Sequence, residues 1–233
     1  MQIEGPLIKG RFHSRPNRFL TVVEVDGKLV NSHLPDPGRL KELLFPGAEL
    51  YLRPVRKDKS RKTRYTTVMV YHKGQFISLV SALPNQFVKE SLEQRILPML
   101  RNYKFLKQEV TVGKHRFDFL LETPQGNPFY LEVKSVTYVE NGIAQFPDAV
   151  TERGARHAFA LADLVEQGQE AGIMFVCQRK DGEVFRPMWE RDPRFGNALI
   201  HAKSTGVYVW CITCFVSLKS ITFFREIPVN LAP

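Results

Sequence analysis

A stretch near the middle of the chain, residues 115–134, constrains the fold most, because its sequence HRFDFLLETPQGNPFYLEVK predicts a β-hairpin with charges on one face. Apolar and polar residues alternate over 115–121 and again over 129–135, which is the pattern of two half-buried strands. The intervening TPQGN has the proline, glycine and asparagine of a turn. The hairpin therefore has one apolar face for a core and one polar face whose chemistry has to be explained.

The register of this hairpin follows from the apolar alternation. If the turn is centred on Gln125, Asp118 lies opposite Glu132 and Arg116 lies opposite Lys134. The apolar pairs that fill the other face are then Phe117 with Val133, Phe119 with Leu131, and Leu121 with Phe129. A slip of one residue would bury the charges, so we expect this register.

Two opposed carboxylates, Asp118 and Glu132, repel each other unless something compensates, and a divalent cation is the usual compensation. Carboxylate oxygens suit Mg²⁺ or Mn²⁺, which polarise a phosphate and lower the pKa of a bound water. Lys134 points to the same face and could orient the attacking water or balance charge in the transition state. The alternative is a solvated face on which Arg116 and Lys134 neutralise the acids.

The D…ExK spacing of these three residues resembles the PD-(D/E)xK nuclease superfamily. Over most of its length the chain also resembles the sugar fermentation stimulation protein A family. The matching stretches are HLPDPGRLKELLFPG (33–47), LPNQFVKESL (83–92), HRFDFLL (115–121), YLEVKSVT (130–137), FPDAVTERGARH (146–157) and GIMFVCQR (172–179).

The resemblance implies a two-domain α/β protein: an N-terminal OB-like β-barrel that binds nucleic acid (1–83) and a C-terminal PD-(D/E)xK nuclease-like domain with a mixed sheet flanked by helices (84–233). It implies DNA binding with little sequence preference. It also implies metal-dependent phosphodiester hydrolysis, with Asp118, Glu132 and Lys134 as catalytic residues and the two carboxylates as ligands of Mg²⁺ or Mn²⁺. The alternative is a DNA-binding regulator of sugar (maltose) catabolism that keeps the nuclease scaffold and does not cleave. A weaker third reading is an RNA-directed enzyme, because OB barrels also accept single-stranded RNA.

Further acids lie on elements that flank the hairpin. A helix predicted from Asn85, as its N-cap, to about Leu97 carries Glu90, and the superfamily often places an additional acid there. A strand predicted over 105–112 carries Glu109, a second candidate neighbour of the site. Surface elements normally carry such acids, so a purely solvated role is the alternative for both.

The FPDAVTERGARH segment is the second candidate for the site. It leads into a helix predicted over about 151–167, on which Arg153 and His157 lie four residues apart and share a face. Arg153 could bind the scissile phosphate, and His157 could hydrogen-bond it or tune a neighbouring acid. Asp148, just before the helix, could reach the metal region. The alternative for His157 is an ordinary capping or packing role.

Positive charge is concentrated near the N-terminus. Residues 1–84 hold 15 Lys/Arg and 7 Asp/Glu, a net charge of +8, whereas residues 85–233 hold 18 and 17, a net charge of +1. Such a surface attracts polyanions without reading their sequence, although the basic run over 53–64 could equally be a solubilising loop. Arg39 precedes a short helix predicted in GRLKELL and could bind phosphate with its N-terminus, or anchor the loop. The candidate nucleic-acid-binding residues are Arg15, Arg18, Arg39, Arg53, Arg56, Lys57, Lys59, Arg61, Lys62 and Arg64.

Composition favours a cytoplasmic protein. No run is long enough to span a bilayer, and MQIEGPLIKG lacks the apolar stretch of a signal peptide, so we expect no membrane partner. The three cysteines form no even disulfide framework, and we expect Cys211 and Cys214 in the core rather than at a zinc or redox site. The expected partner is nucleic acid, DNA in preference to RNA, and the sequence does not specify an oligomeric state.

Overall fold

The computed structural model describes residues 1–55 and 63–233. It packs as two units: Met1–Leu83 with Phe215–Thr222, and Pro84–Cys214 with Phe223–Pro233. A division at 83/84 would leave the segment Phe215–Thr222 with the second unit. This segment instead packs with the first, because its backbone hydrogen-bonds to the N-terminal residues: the Ile3 amide donates to the Lys219 carbonyl at 2.8 Å.

The first unit is a small barrel. Its strands are β1 (Ile8–Asn17), β2 (Leu20–Val25), β3 (Lys28–His33), β4 (Glu49–Pro54), β5 (Tyr65–His72) and β6 (Gln75–Ser78). They lie in the order β3-β2-β1-β4-β5-β6 and pair antiparallel, and a parallel pairing of β3 with β5 closes five of them into a barrel. The predicted OB-like barrel is confirmed.

The barrel strands alternate as half-buried strands do. Val23 and Val25 of β2 and Leu50 and Leu52 of β4 point into the core and are almost fully buried. The tight turn between β2 and β3 is made by Asp26–Gly27, whose φ values of 49° and 73° fit the left-handed conformation that a two-residue hairpin turn requires.

The short helix predicted in GRLKELL does not form. Residues 41–43 make a turn, in which the amides of Leu43 and Leu44 donate to the Leu40 carbonyl at 3.1 and 2.8 Å. Leu40 is fully buried and has a φ of 50°, in the left-handed region, so a right-handed helix cannot run through it. The exposed Arg39 therefore has no helix N-terminus with which to share a phosphate.

The second unit is built on a six-stranded mixed sheet. Its strands are β7 (Lys104–Val112), β8 (His115–Glu122), β9 (Pro128–Val136), β12 (Glu170–Cys177), β14 (Tyr208–Val216) and β15 (Ile221–Ile227). Their order is β15-β14-β12-β9-β8-β7, with β12 parallel to both β9 and β14, and with β7, β8 and β9 antiparallel. The predicted nuclease-like mixed sheet is confirmed.

Three α-helices belong to this unit: α1 (Leu83–Glu93), α2 (Glu152–Glu166) and α3 (Pro193–Ser204). α2 packs on β12 and α3 through small residues such as Ala155 and Ala158, which are almost fully buried. The unit also contains a small second sheet that was not predicted. Its strands are β10 (Tyr138–Glu140), β11 (Ile143–Phe146) and β13 (Val184–Pro187). Its hairpin turn, Asn141–Gly142, has φ values of 48° and 78°.

Cys211 and Cys214 are core residues, as expected, and Cys177 lies in the core as well. Cys177, Cys211 and Cys214 are unpaired and fully buried. Burial raises the pKa of the Cys177 thiol to about 12, so this thiol stays protonated at neutral pH. No helix in the described ranges is long and apolar enough to cross a membrane.

Arg15 has a structural role in the barrel, and its contact with nucleic acid stays a prediction. Its Nη1 donates to the Arg39 carbonyl at 2.7 Å, and its Nη2 donates to the carbonyls of Arg18 and Asp36 at 2.8 and 3.2 Å. One guanidinium thus ties the loop after β3 to the end of β1.

We expect Arg15→Ala to lower the free energy of unfolding by about 1–3 kcal/mol, because three backbone carbonyls lose a charged donor. Arg18→Ala is the matched control: Arg18 is exposed and lies over the Phe19 ring, so the expected change is within about 0.5 kcal/mol. Urea unfolding of both variants measures the difference. Equal stability of the two variants would contradict the structural role of Arg15.

Candidate active site

The candidate site lies where the β8–β9 ladder ends. The two strands pair in the predicted register from Leu121↔Phe129 to Phe119↔Leu131. There the pairing with β9 stops, while β8 continues to pair with β7 as far as His115. β7 has a register irregularity between Phe105 and Lys107, opposite the part of β8 that still pairs with β9.

The predicted ladder pairs Asp118↔Glu132 and Arg116↔Lys134 are therefore wrong, and so is Phe117 with Val133, since the described β8–β9 pairing does not extend to them. The Val133 amide donates to Asp118 Oδ2 at 2.7 Å. The Val133 amide, which the ladder does not use, thus becomes a hydrogen-bond donor to the Asp118 carboxylate.

Asp118 is held from two sides. Besides the Val133 amide, Asn85 Nδ2 of α1 donates to Asp118 Oδ1 at 2.7 Å. The prediction of Asn85 as an N-cap is wrong, because α1 already begins at Leu83. The Asn85 side chain instead belongs to the site. Burial and the charge of Glu132 raise the pKa of Asp118 to about 6, against the opposing effects of its hydrogen bonds and Lys134.

Glu132 is almost completely buried, which rules out the solvated-face alternative. Its Oε1 accepts hydrogen bonds from His157 Nδ1 at 2.7 Å and from Lys134 Nζ. Its Oε2 is buried and has no hydrogen-bond partner among the described residues. Burial works to raise the pKa of Glu132, but the His157 hydrogen bond and the Lys134 charge outweigh it, so the pKa is lowered and the group stays ionised.

His157 and Arg153 reach the site from α2. Thr151 caps this helix by accepting from the Gly154 amide at 3.1 Å, and a Cβ at Gly154 would meet that Thr151 side chain at 2.7 Å. One turn later the buried His157 meets Glu132, and the exposed Arg153 places its Nε 3.4 Å from His157 Nε2. The predicted pairing of the two residues on one face is the observed geometry.

The other acidic candidates have different partners. Glu90 accepts from Gln86 Nε2 at 3.1 Å, within α1. Glu109 is exposed and forms an ion pair with Arg116 at 3.7 Å. Asp148 accepts from Arg191 Nη1 at 2.7 Å, so it anchors the loop before α2 and the prediction that it reaches the metal region is not supported.

Besides Arg15, the basic candidates of the first unit fall into three sets. Arg53 Nη1 donates to Glu4 Oε2 at 3.0 Å. Arg18, Arg39 and Arg64 are exposed on the surface. The remaining candidates lie outside the described residues: Arg56, Lys57, Lys59, Arg61 and Lys62.

The donor set fits a hard divalent cation. Asp118 and Glu132 are buried carboxylates, and when both are ionised their charges repel each other. Glu132 Oε2, which has no hydrogen-bond partner among the described residues, is an oxygen that a cation could bind. The described residues contain no cluster of three or more His, Cys, Asp or Glu that could hold a metal. Two carboxylates suit Mg²⁺ or Mn²⁺, because these ions keep several waters and bind substrate phosphates.

Asp118→Asn should stabilise the metal-free protein at neutral pH. The pKa of about 6 for Asp118 in the folded protein lies above the ordinary aspartate value of 3.8. Stability should therefore fall as pH rises from about 4 to about 6, by at most about 3 kcal/mol, and stay lower above that range. An amide cannot ionise, and Asn85 can rotate its own amide to accept from it, so the variant should lose this pH dependence.

Urea unfolding in EDTA at pH 4 and pH 7.5 measures the effect. Glu122→Gln is the control, because Glu122 lies on the same strand in an exposed ion pair with Lys104. A stability difference between Asp118→Asn and the natural sequence that is the same at both pH values would contradict the raised pKa.

Comparison with known proteins agrees with this architecture. Residues 14–79 match the SfsA N-terminal OB domain, and residues 82–220 match the sugar fermentation stimulation protein RE domain. The sugar fermentation stimulation protein homologue of Clostridium tetani is 39% identical over 231 residues, covering 99% of this chain and 100% of that protein. The homologue of Acetivibrio thermocellus is 43% identical over 232 residues, covering 98% and 99%.

A solved structure also matches along the whole chain. Pyrococcus furiosus SfsA, in complex with Ca²⁺, superposes with a TM-score of 0.89 at 28% identity, covering 99% of this chain and 98% of that one. The matches cover both units, and the curated relatives are more than one third identical over nearly their full length. The chain therefore belongs to the sugar fermentation stimulation protein family, with an N-terminal OB domain and an RE domain.

Proposed function

We propose that this protein is a metal-dependent nuclease that hydrolyses phosphodiester bonds of DNA with little sequence preference. The observation that supports this most directly is the buried Glu132 Oε2, which has no hydrogen-bond partner within residues 1–55 and 63–233 and whose carboxylate interacts electrostatically with Asp118. A protein that only bound DNA would gain nothing from burying two interacting carboxylates, since their repulsion and desolvation destabilise the fold.

Each site residue has a role in this proposal. Asp118 and Glu132 would hold Mg²⁺ or Mn²⁺, an ion that polarises the phosphate and lowers the pKa of an attacking water. Lys134 is mostly buried and its ammonium contacts Glu132, so it can stabilise the negative charge that develops on the phosphate oxygens. Arg153 is exposed beside His157 and can orient a phosphate group with its remaining donors.

A divalent cation is supported from a second direction. The Pyrococcus furiosus relative is described in complex with Ca²⁺, and it matches this chain over nearly its whole length. Ca²⁺ and Mg²⁺ both bind carboxylate oxygens, but Ca²⁺ takes more ligands and looser geometry. Ca²⁺ should therefore compete with Mg²⁺ at the site.

The barrel would hold the nucleic-acid backbone. The net charge of +8 over residues 1–84 against +1 for the rest places nearly all the excess positive charge in the chain's first third. Arg18, Arg39 and Arg64 are exposed there, whereas Arg15 is committed to backbone carbonyls. Phosphate contacts by arginine carry affinity but no sequence information, which fits a protein with little sequence preference.

Cleavage by variants of the site tests the proposal. Glu132→Gln and Lys134→Ala should each lower cleavage of labelled DNA by at least about 100-fold, because one removes a metal ligand and the other a charge that stabilises the transition state. The matched controls are Glu122→Gln and Lys104→Ala, which change the same residue types in an exposed ion pair of the same sheet. These two variants should keep full activity.

The assay compares single-stranded and duplex DNA and RNA in Mg²⁺, Mn²⁺ or EDTA. Activity that survives EDTA, or that persists in Glu132→Gln, would contradict the proposed chemistry. Tight DNA binding with no cleavage in any metal would instead identify a DNA-binding regulator on a nuclease scaffold, linked to sugar catabolism as the names of its relatives indicate. Cleavage of RNA alone would reassign the substrate.

DNA affinity should fall steeply with salt, since binding of the backbone by arginine and lysine releases counterions. Arg18→Ala with Arg39→Ala should weaken duplex binding by roughly equal factors for unrelated sequences and should make the salt slope shallower by up to about 2. Fluorescence anisotropy over a salt series measures both quantities. A slope that the double variant leaves unchanged would show that these arginines do not contact phosphates.

A further inference from the structure

Glu132 would bind a cation more strongly if its carboxylate were already held in one orientation, because a group that is fixed beforehand loses less conformational freedom on binding. Two donors converge on the same oxygen, Oε1: His157 Nδ1 at 2.7 Å and Lys134 Nζ. The other oxygen, Oε2, is buried and has no hydrogen-bond partner in the part of the chain that the structure describes. The carboxylate is therefore anchored through one oxygen and open at the other.

We propose that His157 is the positioning residue of the metal site: its Nδ1 donates to Glu132 Oε1 and fixes the carboxylate so that Oε2 is presented to the cation. This inference rests on the proposed metal site and assigns a specific task to a residue outside the D…ExK triad. Hydrogen bonds to a ligating group orient it and commonly change metal affinity by about 10–100-fold.

The position of the ring proton follows from Arg153. Arg153 Nε lies 3.4 Å from His157 Nε2, and a guanidinium can only donate hydrogen bonds. His157 Nε2 must then be the acceptor, so the ring proton lies on Nδ1, where it points at Glu132. Arg153 thereby selects the tautomer that can hold the carboxylate.

The surroundings of His157 agree with a fixed orientation. The ring is buried and contacts the rings of His115 and Phe117, with centroids 5.9 and 5.7 Å away at interplanar angles of 81° and 68°. Packing on these rings leaves the imidazole little freedom to turn. The charged groups that face it are the Glu132 carboxylate and the Arg153 guanidinium.

Three substitutions of His157 separate positioning from packing. Asparagine carries its amide nitrogen the same number of bonds from Cα as Nδ1, whereas glutamine carries it at the distance of Nε2. His157→Asn can therefore keep the donor to Glu132, His157→Gln misplaces it and His157→Leu removes it. His201→Leu is the control, because His201 is exposed on α3, far along the sequence from the site residues.

Mn²⁺ binding to the full-length protein, followed by electron paramagnetic resonance of the free ion, is the readout. His157→Leu and His157→Gln should weaken Mn²⁺ binding by about 10-fold or more, whereas His157→Asn should stay within about 3-fold of the natural protein. His201→Leu should leave it unchanged. Equal affinity of all three His157 variants, in a natural protein that binds Mn²⁺, would overturn the positioning role while leaving the proposed nuclease intact.

A second measurement needs no variant that might fail to fold. Nitrogen-15 NMR of the histidine rings in the metal-free protein should show the His157 proton on Nδ1 and an unprotonated Nε2. A proton on Nε2 alone would overturn the inference whatever the variants do. If the natural protein binds no Mn²⁺ at all, the inference falls together with the proposed metal site, and that outcome is recognisable because the free-ion signal is then the same with the natural protein as without it.

Discussion

The site depends on the burial of one carboxylate, that of Glu132. Taking this charge out of water is costly unless donors replace its hydration, and the fold supplies Lys134 from the same strand and His157 from α2. α2 can come this close because the face it turns to the sheet is lined by small residues such as Ala155 and Ala158. The burial of the Glu132 carboxylate therefore depends on the close packing of α2 on the sheet.

The end of the β8–β9 ladder creates the second half of the site. Continued pairing would have used the Val133 amide in the ladder and would have set two carboxylates directly opposite each other. In the observed fold, Val133 and Asn85 donate to Asp118 instead. The two carboxylates thus acquire different properties: the pKa of Glu132 is lowered by its partners, whereas that of Asp118 is raised to about 6. Neighbouring acids with divergent pKa values are typical of sites that do chemistry.

What could be predicted from the sequence is what neighbouring residues encode locally. The hairpin register near its turn, the barrel strands and α2 follow from alternation, turn residues and helical spacing. Asn85 was not predicted as a site residue, because an asparagine that caps a helix and one that hydrogen-bonds to a neighbouring strand have the same sequence signature. GRLKELL has helical spacing, but tertiary packing buries Leu40 in a left-handed conformation. The β10–β11 hairpin was not predicted, although the Asn141–Gly142 dipeptide is a local sequence signal of a hairpin turn.

The hydrogen bonds that build the site also limit how strongly it can bind a cation without further ligands. Both oxygens of Asp118 and one oxygen of Glu132 already accept hydrogen bonds, so the chain offers few unused lone pairs to a cation. Water and phosphate oxygens would have to complete the coordination of Mg²⁺ or Mn²⁺. Metal and nucleic acid would then each strengthen the binding of the other by the same factor, as linkage requires. A weak metal site in the free protein is thus what this donor set predicts.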